Sequence, residues 1–188
     1  MSLISDNQIA CGCEDGFIQI WDLNSLSKVK KFKAHDNWIP YLLCVEKTKL
    51  ISFSREKKIK IWNLETFDCI NVFEGHSEVI RYLDLTSVGN LLSCSDDKTV
   101  KLWQIEIGEM LQSFEFEDSV NCVKYLNYEL IAAALDNREI QIYNYIKMET
   151  VKKISAHSTY VYRFCLLSNG DLISGSKDGE MKLWKICD

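Results

Sequence analysis

Proline is all but absent from this chain. Of 188 residues only Pro40 is one, and glycine occurs eight times. That argues against a Pro/Gly-rich linker, and a 47% hydrophobic content argues against a disordered tail. No apolar run is long enough to span a bilayer. The opening residues 1–6 carry no basic stretch followed by an apolar one, so no secretory signal is expected. Also missing are a Walker-type phosphate loop, a G-x-S-x-G elbow and a cluster of histidines or carboxylates spaced as metal ligands. Catalytic residues, a metal site and a cofactor are therefore not expected.

Basic residues are in the minority, and the formal net charge is -5. Nucleic-acid binders usually show a basic face. The short basic runs at 28–33 and 57–60 are offset by acidic neighbours, so nucleic acid is not the expected partner. The eight cysteines, Cys11, Cys13, Cys44, Cys69, Cys94, Cys122, Cys165 and Cys187, are scattered, mostly inside β-like runs. Buried free cysteine behaves as a small hydrophobe. Cys11 and Cys13 are expected on one face of one strand, with no second pair to complete a zinc site. Reduced thiols in the cytoplasm are the expectation, with the nucleus as the alternative.

What the chain has is a repeat. Trp21, Trp62, Trp103, Tyr143 and Trp184 lie 41, 41, 40 and 41 residues apart. Each closes the same pattern of apolar, Lys or Gln, apolar, aromatic, at 18–21, 59–62, 100–103, 140–143 and 181–184. A second β-like run precedes each, at 9–13, 50–54, 91–95, 131–135 and 172–176. Between the two runs lies a turn, marked by Asp15-Gly16 and Asp178-Gly179 and by Glu56-Lys57, Asp97-Lys98 and Asn137-Arg138. Further runs at 28–32, 69–73, 110–114 and 150–154 follow the aromatics. Others at 39–45, 80–85, 120–125 and 161–166 open the units. Each period thus predicts four short antiparallel strands. One such sheet cannot cover both its faces, whereas radial stacking can, which points to an all-β propeller.

The sequence resembles the WD40 repeat family over essentially its whole length. Gly75-His76 and Trp21-Asp22 match the two dipeptides that mark it, with Ala34-His35, Ala156-His157, Trp62-Asn63, Trp103-Gln104 and Trp184-Lys185 as variants. All three histidines lie 27 residues before a tryptophan. The resemblance implies buried hydrogen-bonded networks: His76, Ser93, Asp97 and Trp103; His157, Ser174, Asp178 and Trp184; and His35, Ser52, Glu56 and Trp62, where Glu replaces Asp. Ser95 and Ser176 are alternatives for the serine. In the fourth unit Phe116, Ala133, Asn137 and Tyr143 occupy the four places, so packing is expected to replace the hydrogen bonds there. A Ser, His and Asp recurring in several blades reads as structural rather than as a hydrolytic triad.

The resemblance also implies a partner-binding rim, formed by the third and fifth residues after the histidine and by the residue before the turn acid. Those positions give Trp38, Pro40, Arg81, Tyr160 and Tyr162, with Glu14, Arg55, Asp96, Asp136 and Lys177. Trp, Tyr and Arg are the types that dominate interface hot spots. The expected function is a scaffold or adaptor that binds other proteins. The alternative is an RNA- or phosphate-recognising propeller using Arg55, Arg81 and Lys177. The expected domain is one array, 1–188, in units of about 1–33, 34–74, 75–115, 116–155 and 156–188. That is about four and a half repeats, an incomplete ring. The expectation is the C-terminal part of a longer propeller, with self-association or completion by another chain as alternatives, and no membrane insertion.

Overall fold

Short apolar runs bounded by turn residues favour strands over helices, and every regular element among the described residues is a strand. The computed structural model describes residues 1–186; Cys187 lies outside them. Two compact units divide the chain, Met1–Ile80 and the remainder from Arg81. The first unit holds two sheets. One is β1 (Ser2–Ser5), β2 (Gln8–Gly12), β3 (Phe17–Asp22) and β4 (Ser27–Lys33); the other is β5 (Tyr41–Val45), β6 (Lys49–Phe53), β7 (Ile59–Asn63) and β8 (Cys69–Phe73).

The second unit holds three sheets. Its first is β9 (Ile80–Leu85), β10 (Leu91–Ser95), β11 (Thr99–Gln104) and β12 (Glu109–Glu115). Its second is β13 (Val120–Tyr125), β14 (Leu130–Leu135), β15 (Glu139–Asn144) and β16 (Glu149–Ser155). Its third has three strands among the described residues, β17 (Val161–Leu166), β18 (Leu172–Ser176) and β19 (Met181–Trp184). In every sheet the strands pair antiparallel with their sequence neighbours. The first strand begins pairing at Ser2, opposite Ala10.

In the second, third and fourth sheets the middle strands are buried on both faces, which explains why they read as nearly continuous apolar runs. In the second sheet Leu50, Ser52, Lys60 and Trp62 share one face, while Ile51, Phe53, Ile59 and Ile61 share the other. Within the first unit Ile4, Ala10 and Ile18 pack with Leu42, Leu50 and Trp62. Within the second unit Val100 and Phe114 pack with Val123 and Ala133, and Ile140 and Ile142 pack with Val161 and Leu172.

Turn chemistry repeats with the blade. After the second strand, Gly16, Lys57, Lys98, Arg138 and Gly179 all adopt positive φ. Between the third and fourth strands Leu26, Phe67, Gly108 and Met148 do the same. There the residue after the aromatic caps the turn: Asp22 accepts the amides of Asn24 and Ser25, Asn63 those of Glu65 and Thr66, and Asn144 those of Ile146 and Lys147.

The described cysteines are free thiols. Cys94 and Cys122 are buried; Cys69 and Cys165 are exposed. Cys13 does not share a strand with Cys11 as expected, because β2 ends at Gly12, where the chain turns and the Cys13 amide donates to the Phe17 carbonyl.

Candidate functional site

The buried histidine networks close as hydrogen-bonded chains. In the first unit Trp62 Nε1 donates to Ser52 Oγ at 2.8 Å, and Ser52 Oγ lies 2.7 Å from His35 Nε2. His35 Nδ1 meets the Glu56 carboxylate. Ser52 Oγ takes the indole hydrogen and gives its own to Nε2, so Nδ1 carries the imidazole proton toward Glu56. Burial holds His35 below the usual histidine range, against the opposing pull of Glu56. The longer Glu side chain closes this network. It also takes the Asp36 amide at 3.4 Å and faces Lys60 Nζ at 3.6 Å.

The last blade repeats the plan with aspartate. Trp184 Nε1 donates to Ser174 Oγ at 2.8 Å, Ser174 Oγ stands 2.8 Å from His157 Nε2, and His157 Nδ1 stands 3.3 Å from Asp178 Oδ2. Asp178 is held below the usual carboxylate range. Desolvation opposes this, and the amides of Glu180 and Ser158 with the Ser158 and Ser176 hydroxyls outweigh it. In the last blade the serine at the indole is thus Ser174. Ser176 instead ties its loop, bonding the carbonyl of Tyr160 and the amide of Asp178. Ser95 likewise accepts the Asp97 amide.

In the second unit Trp103 Nε1 donates to Ser93 Oγ at 2.8 Å, and Asp97 Oδ1 takes the Thr99 amide and hydroxyl. His76 is buried within the first unit. The fourth unit is held by packing: Tyr143 lies 5.3 Å from Phe116 and 5.6 Å from Phe114 between ring centroids, over the buried Ala133. Asn137 serves its own turn, accepting the Glu139 amide.

Sequence reasoning missed one member of the network. The lysine two residues before the tryptophan reaches the carbonyl of the residue before the histidine: Lys60 to Ala34 at 2.8 Å, Lys182 to Ala156 at 3.0 Å. Its signal was the recurring Lys in the third-strand pattern. Ligand atoms of His157, Asp178 and Glu180 lie within 4.8 Å of one another. Asp178 is already engaged by His157 and Ser158, and Glu180 pairs with Lys182 at 3.2 Å.

A nucleophile needs access, and Ser52 and Ser174 have none: both are fully buried, each between an indole and an imidazole. The exposed chemistry lies elsewhere. In the first unit Glu14, Trp38 and Arg55 line a surface depression of about 310 Å³. Trp38 is 39% exposed, with the Arg55 guanidinium 5.2 Å from its ring centroid, a cation–π geometry. Pro40 is exposed two residues on.

In the second unit Arg81 binds Asp96 through two hydrogen bonds, of 2.6 and 2.5 Å. That contact holds the guanidinium above its usual range, with desolvation opposing. Asn121 donates to Asp136 at 3.3 Å. Tyr160 and Tyr162 meet edge to face, hydroxyls 3.1 Å apart, and Lys177 Nζ sits 5.1 Å from the Tyr160 ring centroid. The hydrogen bond from Tyr162, then Lys177, lowers the Tyr160 phenol; the same bond raises Tyr162.

Repeated antiparallel sheets of three or four short strands, each paired in sequence order, define propeller blades. The family model for the WD domain, G-beta repeat, matches residues 2–22, 67–104 and 148–185, together just over half of the chain. The chain belongs to the WD40 repeat family, whose repeats generally mediate protein–protein interaction. No curated protein matches the chain. Among the described residues no helix is long and apolar enough to cross a membrane.

Proposed function

We propose that the chain is a non-enzymatic scaffold or adaptor that seats partner peptides on its rim residues. The observation that carries this is the meeting of Glu14, Trp38 and Arg55 around one exposed depression. Trp and Arg are the residue types that anchor interfaces, and here both are presented at the surface. In the second unit the Tyr160, Tyr162 and Lys177 cluster and the Arg81–Asp96 pair are further exposed groups of similar residue types. Burial of the Ser–His pairs supports a structural role for them. Arg81 is neutralised by Asp96, which weighs against a polyanion such as RNA. The mixed charge favours a peptide carrying both signs. A cytoplasmic setting, with the nucleus as the alternative, suits buried thiols such as Cys94 and Cys122.

A displayed peptide library panned on the chain tests the reading. Selected peptides are expected to bind the parent and to lose at least roughly tenfold in affinity to a Trp38→Ala, Arg55→Ala variant of equal stability. Equal binding by both would overturn the assignment of this depression, and a steep salt dependence with RNA would favour the nucleic-acid alternative.

A further inference from the structure

In each blade of the second unit a charged residue precedes the turn residue, and its own blade supplies it a polar partner. Twice that partner lies fifteen positions earlier: Arg81 binds Asp96 through two hydrogen bonds, and Asn121 donates to Asp136 at 3.3 Å. Lys177 is met by Tyr160, whose ring centroid lies 5.1 Å from Nζ and whose hydroxyl bonds it.

Arg55, at the same place in the first unit, is the exception. Fifteen positions earlier stands Pro40, whose side chain has neither donor nor acceptor. Trp38 stands where Tyr160 does in the last blade, and its one polar atom is an N–H, a donor like the guanidinium itself. The adjacent Glu56 is turned to His35 and the Asp36 amide. Among the described residues no acceptor meets the Arg55 guanidinium; the indole alone holds it, 5.2 Å from the ring centroid.

Contact with Trp38 restricts the arginine before any ligand arrives, so less rotamer freedom is lost on binding. A planar guanidinium with unspent donors is matched by a carboxylate, which it grips bidentately. Phosphate fits the same fork. Glu14, however, lines the same depression of about 310 Å³ and repels a doubly charged ligand more than a singly charged one. Capture of a chain terminus ordinarily uses a nest of backbone amides; the unspent donors here belong to a side chain. Trp38, 39% exposed, and the exposed Pro40 add apolar surface beside it.

We infer that Arg55 anchors an acidic side chain, Asp or Glu, of a partner peptide, and that an apolar or aromatic neighbour of that acid packs on Trp38 and Pro40. The inference rests on the peptide-binding reading above and names the residue class that this depression selects.

The test selects random displayed peptides on the full chain and synthesises the winners with amidated C-termini. Peptides that Trp38→Ala weakens are expected to share an Asp or Glu. Changing that acid to Asn or Gln is expected to weaken binding at least roughly tenfold. Arg55→Glu is expected to lose the same peptides to the same degree and to regain binding when the acid is changed to Arg. Phosphoserine in place of the acid is expected to bind more weakly. Trp38-dependent peptides that need no acid, or an acid whose loss costs Arg55→Glu as much as the parent, would overturn the inference and leave the peptide-binding reading standing. So would tighter binding of the phosphoserine peptide, or a requirement for a free C-terminal carboxylate. If no selected peptide depends on Trp38 or Arg55, the peptide-binding reading itself falls, and this inference with it. Should Arg55→Glu fail to fold, Arg55→Gln with the amide-substituted peptides closes the same double-mutant cycle.

Discussion

The indole of Trp62 donates to Ser52 Oγ at 2.8 Å, and Ser52 in turn lies 2.7 Å from His35. One hydroxyl thus serves the imidazole of the entry segment and the indole of the third strand, and ties the two together. Trp62→Phe keeps an aromatic ring but removes the N–H that donates to the hydroxyl. Its expected cost is about 1–2 kcal/mol, read as a shift in urea midpoint at constant slope. Tyr143→Phe, in the blade held by ring packing, is expected to cost less than about 1 kcal/mol. A larger loss for Tyr143→Phe than for Trp62→Phe would refute the division between hydrogen-bonded and packed blades.

Acid should weaken the first unit through His35. Its pKa is lowered in the fold from 6.5 by burial. Below pH 6.5 the unfolded chain therefore binds the proton more readily than the folded one, and stability falls as pH falls toward the folded value. Above 6.5 the contribution is fully present. Urea unfolding between pH 7.5 and 5 is the check, with His35→Gln expected to flatten that part of the profile. A stability that rises on acidification through this window would contradict the neutral assignment.

Two glycines at equivalent turns are expected to respond unequally to alanine. Gly16 and Gly179 have φ of +77 and +83, so both pay the left-handed penalty, about 1–2 kcal/mol. A Cβ on Gly16 would also run into the His35 carbonyl, while one on Gly179 meets nothing within 4 Å. Gly16→Ala should therefore lower stability markedly more than Gly179→Ala. Equal thermal shifts for the two variants would rule out the close approach of Gly16 to His35.

Ala133 occupies the place that Ser52 and Ser174 hold in their blades, but inside an apolar cluster with Phe116 and Tyr143. Ala133→Ser buries a hydroxyl without a histidine and is expected to cost about 1–3 kcal/mol. A neutral or stabilising effect in denaturant titration would show that the fourth blade can accept the network on its own.

The repeat was legible because Trp, His and the turn acid recur at fixed intervals, and that interval carries the blade. The strands at 80–85, 120–125 and 161–166 match the structure, since alternation over six residues leaves little freedom. The register slips opposite the third-strand aromatics were not legible. A bulge adds one apolar residue, Val29 or Val151, to a run that already reads as a strand. The ion pair of Arg81 with Asp96 was hidden for a different reason: the two residues are 15 apart, and both were read only as rim positions open to a partner. The Lys60 contact with the Ala34 carbonyl was missed because a lysine in a strand pattern ordinarily reads as solvent-facing, and here the neighbouring segment's backbone meets it.

Burial makes two of the cysteines chemically silent. Cys94 and Cys122 lie fully inside the second unit, and desolvation pushes the Cys122 thiol to about 12 and raises Cys94 as well. Neither can offer a thiolate near neutral pH while its strands stay closed, whereas Cys165 lies open at the surface. The chain therefore contains its own timer. Alkylation of these two thiols waits on the opening of the two sheets that hold β10 and β13, so a reagent added to the folded protein reports how often those sheets open.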